Sequence, residues 1–230
     1  MSSDLNSRNV TTLNSEITKV VIKIEAYKDL DSHALKAREK ECIGFLVGFD
    51  DDSNPNTVYV SRYIPVTEGE ENVVEISSRL SDNYFFNLEQ EGLIDPVLGE
   101  YIVGWGHSHP GHKLFFSSHT DIPYHYRSFQ SHNKRSIGIV VEPTKKKKVS
   151  TENDEFILSD IAAFQVVKNG EELTSRKIKV VPVESFVHLE KQTIKEDIDE
   201  IEKYFDGLDD LEELNNSDNS NEANSVFQKP

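Results

Sequence analysis

The run Gly104-Trp105-Gly106-His107-Ser108-His109-Pro110, trailed by Ser117, Ser118 and Asp121, constrains this chain more than any other stretch. Side chains alternate along an extended strand, so His107 and His109 fall on one face and aim both imidazoles at one point. Pro110 cannot donate to a ladder, so it ends the strand and turns the chain. A short loop and a helix opening near Ser118 would bring Asp121 back to the same place. Two imidazoles and a carboxylate suit zinc and leave a fourth position for water, as in catalytic rather than structural sites. A zinc hydrolase also needs a base, and Glu41 is the candidate. It closes the charged stretch from Lys36 to Lys40 and directly precedes Cys42 to Phe49, which reads as a buried strand.

At these residues the chain resembles the JAMM/MPN+ metalloprotease family. Glu41-Cys42-Ile43-Gly44-Phe45-Leu46-Val47-Gly48 is similar to the family's Glu ahead of an apolar, glycine-containing strand. Gly106-His107-Ser108-His109-Pro110-Gly111 is similar to its His-Ser/Thr-His-Pro element. The likeness continues at Arg135 to Pro143 and at Asp160 to Phe164, so it spans roughly residues 18 to 167. It looks greatest toward the branch of the proteasome-lid deubiquitinase subunit and the signalosome deneddylase subunit. The resemblance implies an MPN domain with zinc held by His107, His109 and Asp121, and Glu41 moving the proton. Ser117 or Ser118 would donate a hydrogen bond to the oxyanion. The implied substrate is the isopeptide bond between a lysine and the C-terminal tail of ubiquitin or a ubiquitin-like protein. That tail would add as a strand at a sheet edge.

The chain departs from the family in one place. The family spaces ten residues between the second His and the Asp, and here Pro110 to Thr120 makes eleven. The departure reads as a one-residue insertion in the loop Gly111 to Phe116, since loops tolerate extra residues. Ser117 keeps the family's distance from His109, and Ser118 keeps it from Asp121. Three other functions compete. A non-catalytic MPN scaffold would have lost the ligands that are intact here. A protease processing sulfur-carrier or small-modifier proteins fits the same residues. A zinc deaminase would need a Pro-Cys-x-x-Cys that is missing.

Charge narrows the partners. The formal net charge is −16, and residues 196 to 222 hold twelve Asp/Glu against Lys203 alone, so −11 sits there and −5 elsewhere. An acidic surface argues against non-specific nucleic-acid binding. Cys42 is the one cysteine, so no intrachain disulfide and no multi-cysteine zinc site can form. Met1 to Ser15 has no apolar core like that of a signal peptide, and no run approaches a membrane span. A cytoplasmic protein without membrane contact is the expectation.

The pattern predicts a disordered segment over 1–15, a metalloprotease domain over 16–181, an acidic amphipathic helix over 182–214 and a disordered tail over 215–230. Within the domain, strands are expected at 19–25, 42–49, 57–65, 101–105, 137–141, 155–158, 161–166 and 177–182. Helices are expected over 27–40, with Leu30, Ala34, Leu35 and Ala37 facing inward, from Ser78 or Ser81 to Gly92, and over 118–132. This order reads as an α+β fold with a mixed, largely antiparallel central sheet flanked by helices. Lys145 to Lys148 reads as a solvated loop between two strands. Trp105 reads as core or cleft wall, Cys42 as a buried, inert thiol, and His112, His119, His125 and His132 as surface or packing residues. Phe186, Leu189, Ile194, Ile198, Ile201, Phe205, Leu208 and Leu211 recur at mostly three- and four-residue spacing. That stripe needs a surface to cover it, either this domain or another MPN-type or assembly subunit.

Overall fold

The computed structural model of the protein describes residues 16–68, 88, 90–95 and 97–186. The helix expected from Ser78 or Ser81 and the acidic helix over 182–214 fall almost wholly outside them. Residues up to Glu184 form one compact unit.

Seven strands close into a barrel: β1 (Lys19–Lys23), β2 (Cys42–Asp50), β3 (Thr57–Glu68), β4 (Tyr101–Ser108), β5 (Ile137–Ser150), β6 (Glu155–Asn169) and β7 (Glu172–Val183), in the order β1-β3-β2-β4-β5-β6-β7. β1 closes the ring by pairing parallel with both β3 and β7, and β4 pairs parallel with β5. The other four pairings are antiparallel. The mixed, largely antiparallel sheet that was expected is found, but it closes into a barrel rather than lying as a layer flanked by helices. Among the described strands the closed barrel leaves no unpaired edge strand of the kind expected to take a substrate tail.

Helix α1 (Ile24–Ala37) follows β1 without a connecting turn, so the strand stops two residues short of the expected end. Ile24, Tyr27, Leu30, Ala34 and Ala37 recur at three- and four-residue spacing and are buried, which makes one apolar stripe. Leu35, expected on that face, is instead 44% exposed. The helix ends three residues before the expected Lys40, where Arg38 takes a φ of 61°. The buried side chains form two clusters on opposite faces of the barrel wall. One joins α1 to Val20, Ile22, Leu46, Val58 and Ile139, and the other gathers Phe45, Trp105, Phe116, Phe129 and Phe164. Burial on both faces explains why Cys42 to Phe49 is apolar nearly throughout rather than alternating.

Two features fix the register that positions the site. Leu46 opposes Gly104 while Val47 opposes Ile102, so Val103 is a bulge in β4. It returns Trp105 and His107 to the aromatic face, opposite Val103. Close packing does the rest: a Cβ on Gly104 would come within 1.9 Å of the Ile137 carbonyl oxygen, so β4 and β5 approach as they do because no side chain intervenes.

The lysine run is not a loop. β5 continues through Lys145 to Lys148, past an irregularity after Glu142, and pairs with β6. Each lysine meets a carboxylate: Lys145 Nζ lies 3.7 Å from Glu142 on the same strand, Lys146 3.1 Å from Asp31 on α1, and on β6 Asp160 lies 2.5 Å from Lys147 and Glu155 2.6 Å from Lys148. The two strands expected at 155–158 and 161–166 are one strand, β6. The helix expected over 118–132 is a short α2 (Asp121–His125) that widens into one π-turn over Tyr126–Gln130. Pro123 is accommodated because it lies in the first turn, where its missing N–H goes unused.

Candidate metal centre

β4 delivers His107, His109 follows one residue past the strand's end with its amide still on the Val141 carbonyl at 2.9 Å, and α2 delivers Asp121 at its first position. The three side chains are buried and meet: His107 Nε2 and His109 Nε2 are 3.0 Å apart, and each lies 3.5 Å from Asp121 Oδ2. Donors about 2.0–2.2 Å from a common tetrahedral centre lie roughly 3.3–3.5 Å from one another, so the triangle fits a metal ion. Glu41, the residue before β2, is 8% exposed, and its Oε1 stands 4.0 Å from His109 Nε2. The antiparallel register Ile43↔His107 explains this proximity, because stepping back along β2 means stepping forward along β4. All four residues singled out in the sequence for metal and proton chemistry are thus brought together.

Burial disfavours a charged Asp121 carboxyl, but hydrogen bonds from His107 and His109 outweigh it and hold its pKa far below the usual carboxylate range. Burial likewise disfavours a charged His109, yet Asp121, with Glu41 behind it, raises its pKa above the ordinary value. For His107 burial prevails over Asp121, and the pKa falls. Asp121 therefore stays ionised and His107 favours the neutral form, the states in which both ligate metal.

The two serines differ. Ser117 is half-buried; its backbone N–H donates to Asp121 Oδ2 at 2.7 Å, and its Oγ accepts from the amides of His119 and Thr120, both at 3.4 Å. An oxygen that accepts twice keeps its own proton to donate. Ser118 is exposed on the turn beyond. The Ile122 N–H reaches the Ser117 carbonyl five residues back, at 2.9 Å. That turn encloses one residue more than an α-turn does.

Two residues matter here that sequence reasoning passed over. His125, read from the sequence as a surface or packing residue, is a packing residue with a polar role: it is fully buried, its Nδ1 accepts the Trp105 indole N–H at 2.9 Å and its Nε2 donates to the Ser136 carbonyl at 3.2 Å. Burial drives its pKa down to about 4, so the ring is neutral. The available signal was its place four residues after Asp121, on the same helix face. Glu142 is also fully buried, and its Oε1 accepts from the Gly111 amide at 3.1 Å and from the Thr144 amide and hydroxyl at 3.0 and 2.8 Å. It ties the turn after Pro110 to the end of the β5 apolar run. A charged residue closing Val-Val-Glu-Pro was the clue. The other expectations hold: Trp105 and Cys42 are buried, and His112, His119 and His132 are exposed. A cleft of about 530 Å³ opens beside the site between the end of α1 (Leu35, Arg38, Glu39) and the loop Pro110–His112.

Comparison with known proteins agrees with this geometry. The model of the family described as JAB1/Mov34/MPN/PAD-1 ubiquitin protease matches residues 15–135, just over half of the chain. The ubiquitin carboxyl-terminal hydrolase RPN11 of Saccharomyces cerevisiae is 28% identical over 165 residues, 71% of this chain and 51% of that protein. The 26S proteasome regulatory subunit RPN11 of Eremothecium gossypii is 30% identical over 140 residues, 60% of this chain and 42% of that one. The NAD(+) hydrolase TcpA of Theionarchaea archaeon is 28% identical over 154 residues, 67% and 41% of the two chains. This chain spans about half the length of the curated relatives it matches. With the family match covering both the Glu41 strand and the His-Ser-His-Pro turn, the chain belongs to the JAB1/Mov34/MPN/PAD-1 ubiquitin protease family.

Proposed function

We propose that this protein is a zinc-dependent isopeptidase that removes ubiquitin or a ubiquitin-like modifier from its conjugates. The observation that carries the reading is the convergence of His107, His109 and Asp121 with the buried carboxylate of Glu41 beside His109. Two imidazoles and one carboxylate are the donor set of a catalytic zinc site with an open fourth position. His107, His109 and Asp121 would hold the zinc, which would supply Lewis-acid activation of the attacking water and of the scissile carbonyl. Glu41 takes the proton of the attacking water and hands it to the departing lysine amine, the work of a general base that later acts as an acid. Ser117, its hydroxyl proton uncommitted, donates to the developing oxyanion in preference to the exposed Ser118. The likeness to a ubiquitin carboxyl-terminal hydrolase supports the substrate class. The apolar stripe from Phe186 to Leu211 would dock either on this domain or on a partner subunit, in a cytoplasmic protein.

Purified protein incubated with a panel of ubiquitin and ubiquitin-like conjugates, with and without a zinc chelator, tests this. Isopeptide cleavage that the chelator abolishes and added zinc restores is expected. Inertness toward every conjugate, or cleavage indifferent to the chelator, refutes it.

A further inference from the structure

A metal-ligating imidazole is normally oriented by a hydrogen bond from its other ring nitrogen. Among the described residues His107 lacks one: its Nδ1 is buried with no hydrogen-bond partner there. Its ring is held by stacking instead. The Trp105 indole lies against it with centroids 4.2 Å apart and planes 9° from parallel, and Phe129 backs the indole at 6.0 Å and 7°. Stacking fixes a plane but slides easily within it, so the indole itself must be anchored. The anchor is its single donor, Nε1–H, on His125 Nδ1. His125 can accept there because its own proton is on Nε2, donated to the Ser136 carbonyl.

We propose that His125 is a positioning residue for the metal centre. It touches neither metal nor substrate, and it fixes the plane of the His107 ring through the Trp105 indole. The chain of contacts runs from the backbone of Ser136 to His125, from His125 to Trp105, and from Trp105 to the ligand. It takes the place of the missing hydrogen bond on His107 Nδ1. It also explains why a polar side chain lies in an aromatic cluster, where Phe116 meets His125 edge-on at 5.5 Å. An apolar residue would pack as well there but would leave a buried indole N–H unpaired and the ring free to turn.

The proposal rests on the metal reading above, and its test separates the two. His125→Phe keeps the ring volume and removes the acceptor, and His125→Gln restores an acceptor oxygen. Val20→Ala, in the other cluster, serves as an equally destabilised control. Zinc affinity is measured by chelator competition, and the His107 ring protons are followed by NMR in zinc-free, full-length protein. In the wild type those protons carry an upfield shift from the stacked indole. His125→Phe is expected to lose most of that shift and to bind zinc about 10-fold more weakly, the scale seen when a group supporting a metal ligand is removed. His125→Gln should return both toward wild type, and Val20→Ala should move neither. If His125→Phe keeps the ring shift and the affinity, or if Val20→Ala weakens zinc as much, His125 has no positioning role. Should the wild type take up no zinc, the proposed function fails, and the zinc-free ring shifts still decide the role of His125.

Discussion

His125 also makes the stability of the fold depend on acid in a calculable way. Its pKa is about 4 in the folded protein, chiefly through burial and only partly offset by the Ser136 carbonyl. In the unfolded chain it returns to about 6.5. Because the folded value is depressed, the unfolded state binds the proton first, and stability falls as pH drops from about 6.5 toward 4. A tenfold difference in proton affinity between the two states is worth about 1.4 kcal/mol, so the loss between pH 7 and pH 4 comes to about 3 kcal/mol. Other groups titrate too: His107 acts in the same direction and His109, whose pKa is raised, in the opposite one. Asp121 contributes only below about pH 4, where its unfolded carboxyl takes up a proton. Subtracting the curve of His125→Gln, which cannot titrate, removes these shared contributions. Urea unfolding of the two proteins in chelator, followed by circular dichroism at half-unit intervals of pH, measures the difference. The stability advantage of the wild type should shrink by about 3 kcal/mol from pH 7 to pH 4. A flat difference would show that His125 reaches water in the folded state and is not sealed among Trp105, Phe116 and Phe129.

Glu41→Gln should retain zinc and fold normally while turnover of a conjugate falls by about two orders of magnitude or more; unchanged turnover removes Glu41 from the proton path. Asp121→Ala should lose stoichiometric zinc by elemental analysis, and full occupancy would transfer the third ligand to another group. Lys146→Ala should cost about 1–3 kcal/mol in chemical denaturation, because it strips the buried Asp31 of the cation 3.1 Å from its Oδ1 and leaves that oxygen the Ser159 amide. Lys147→Ala, which breaks a more exposed pair, should cost less than about 1 kcal/mol; equal costs would refute the distinction.

What was legible in the sequence was what repeats or alternates locally. His107 and His109 on one strand, Glu41 before an apolar run and the stripe of α1 all follow from period two or three to four. What was not legible depends on partners far along the chain. Four consecutive lysines look like a solvated loop until β6 is seen to pair with them and Asp31, 115 residues away, to meet Lys146. Barrel closure depends on β1 finding β3 and β7 in parallel, and no turn residue announces a parallel pairing. The bulge at Val103 leaves no mark in composition, yet without it Trp105 would face the wrong core. His125 was missed because a histidine's spacing does not reveal whether an indole lies opposite.

The way the barrel closes also bears on how such a domain can be built into larger chains. Lys19 opens β1 and Val183 ends β7, and these strands lie side by side, with Lys23 opposite Val183. The entry and exit of the fold are thus four strand positions apart, roughly 13 Å at about 3.3 Å per residue. Chains whose ends lie this close tolerate being cut elsewhere and rejoined, or being spliced into a host loop. A handful of linker residues would join the two ends without disturbing β2, β4 or α2, which carry the metal centre. In architectural terms the domain is a cassette: the strands that open and close it, β1 and β7, share one seam, and the candidate metal centre is carried by other elements.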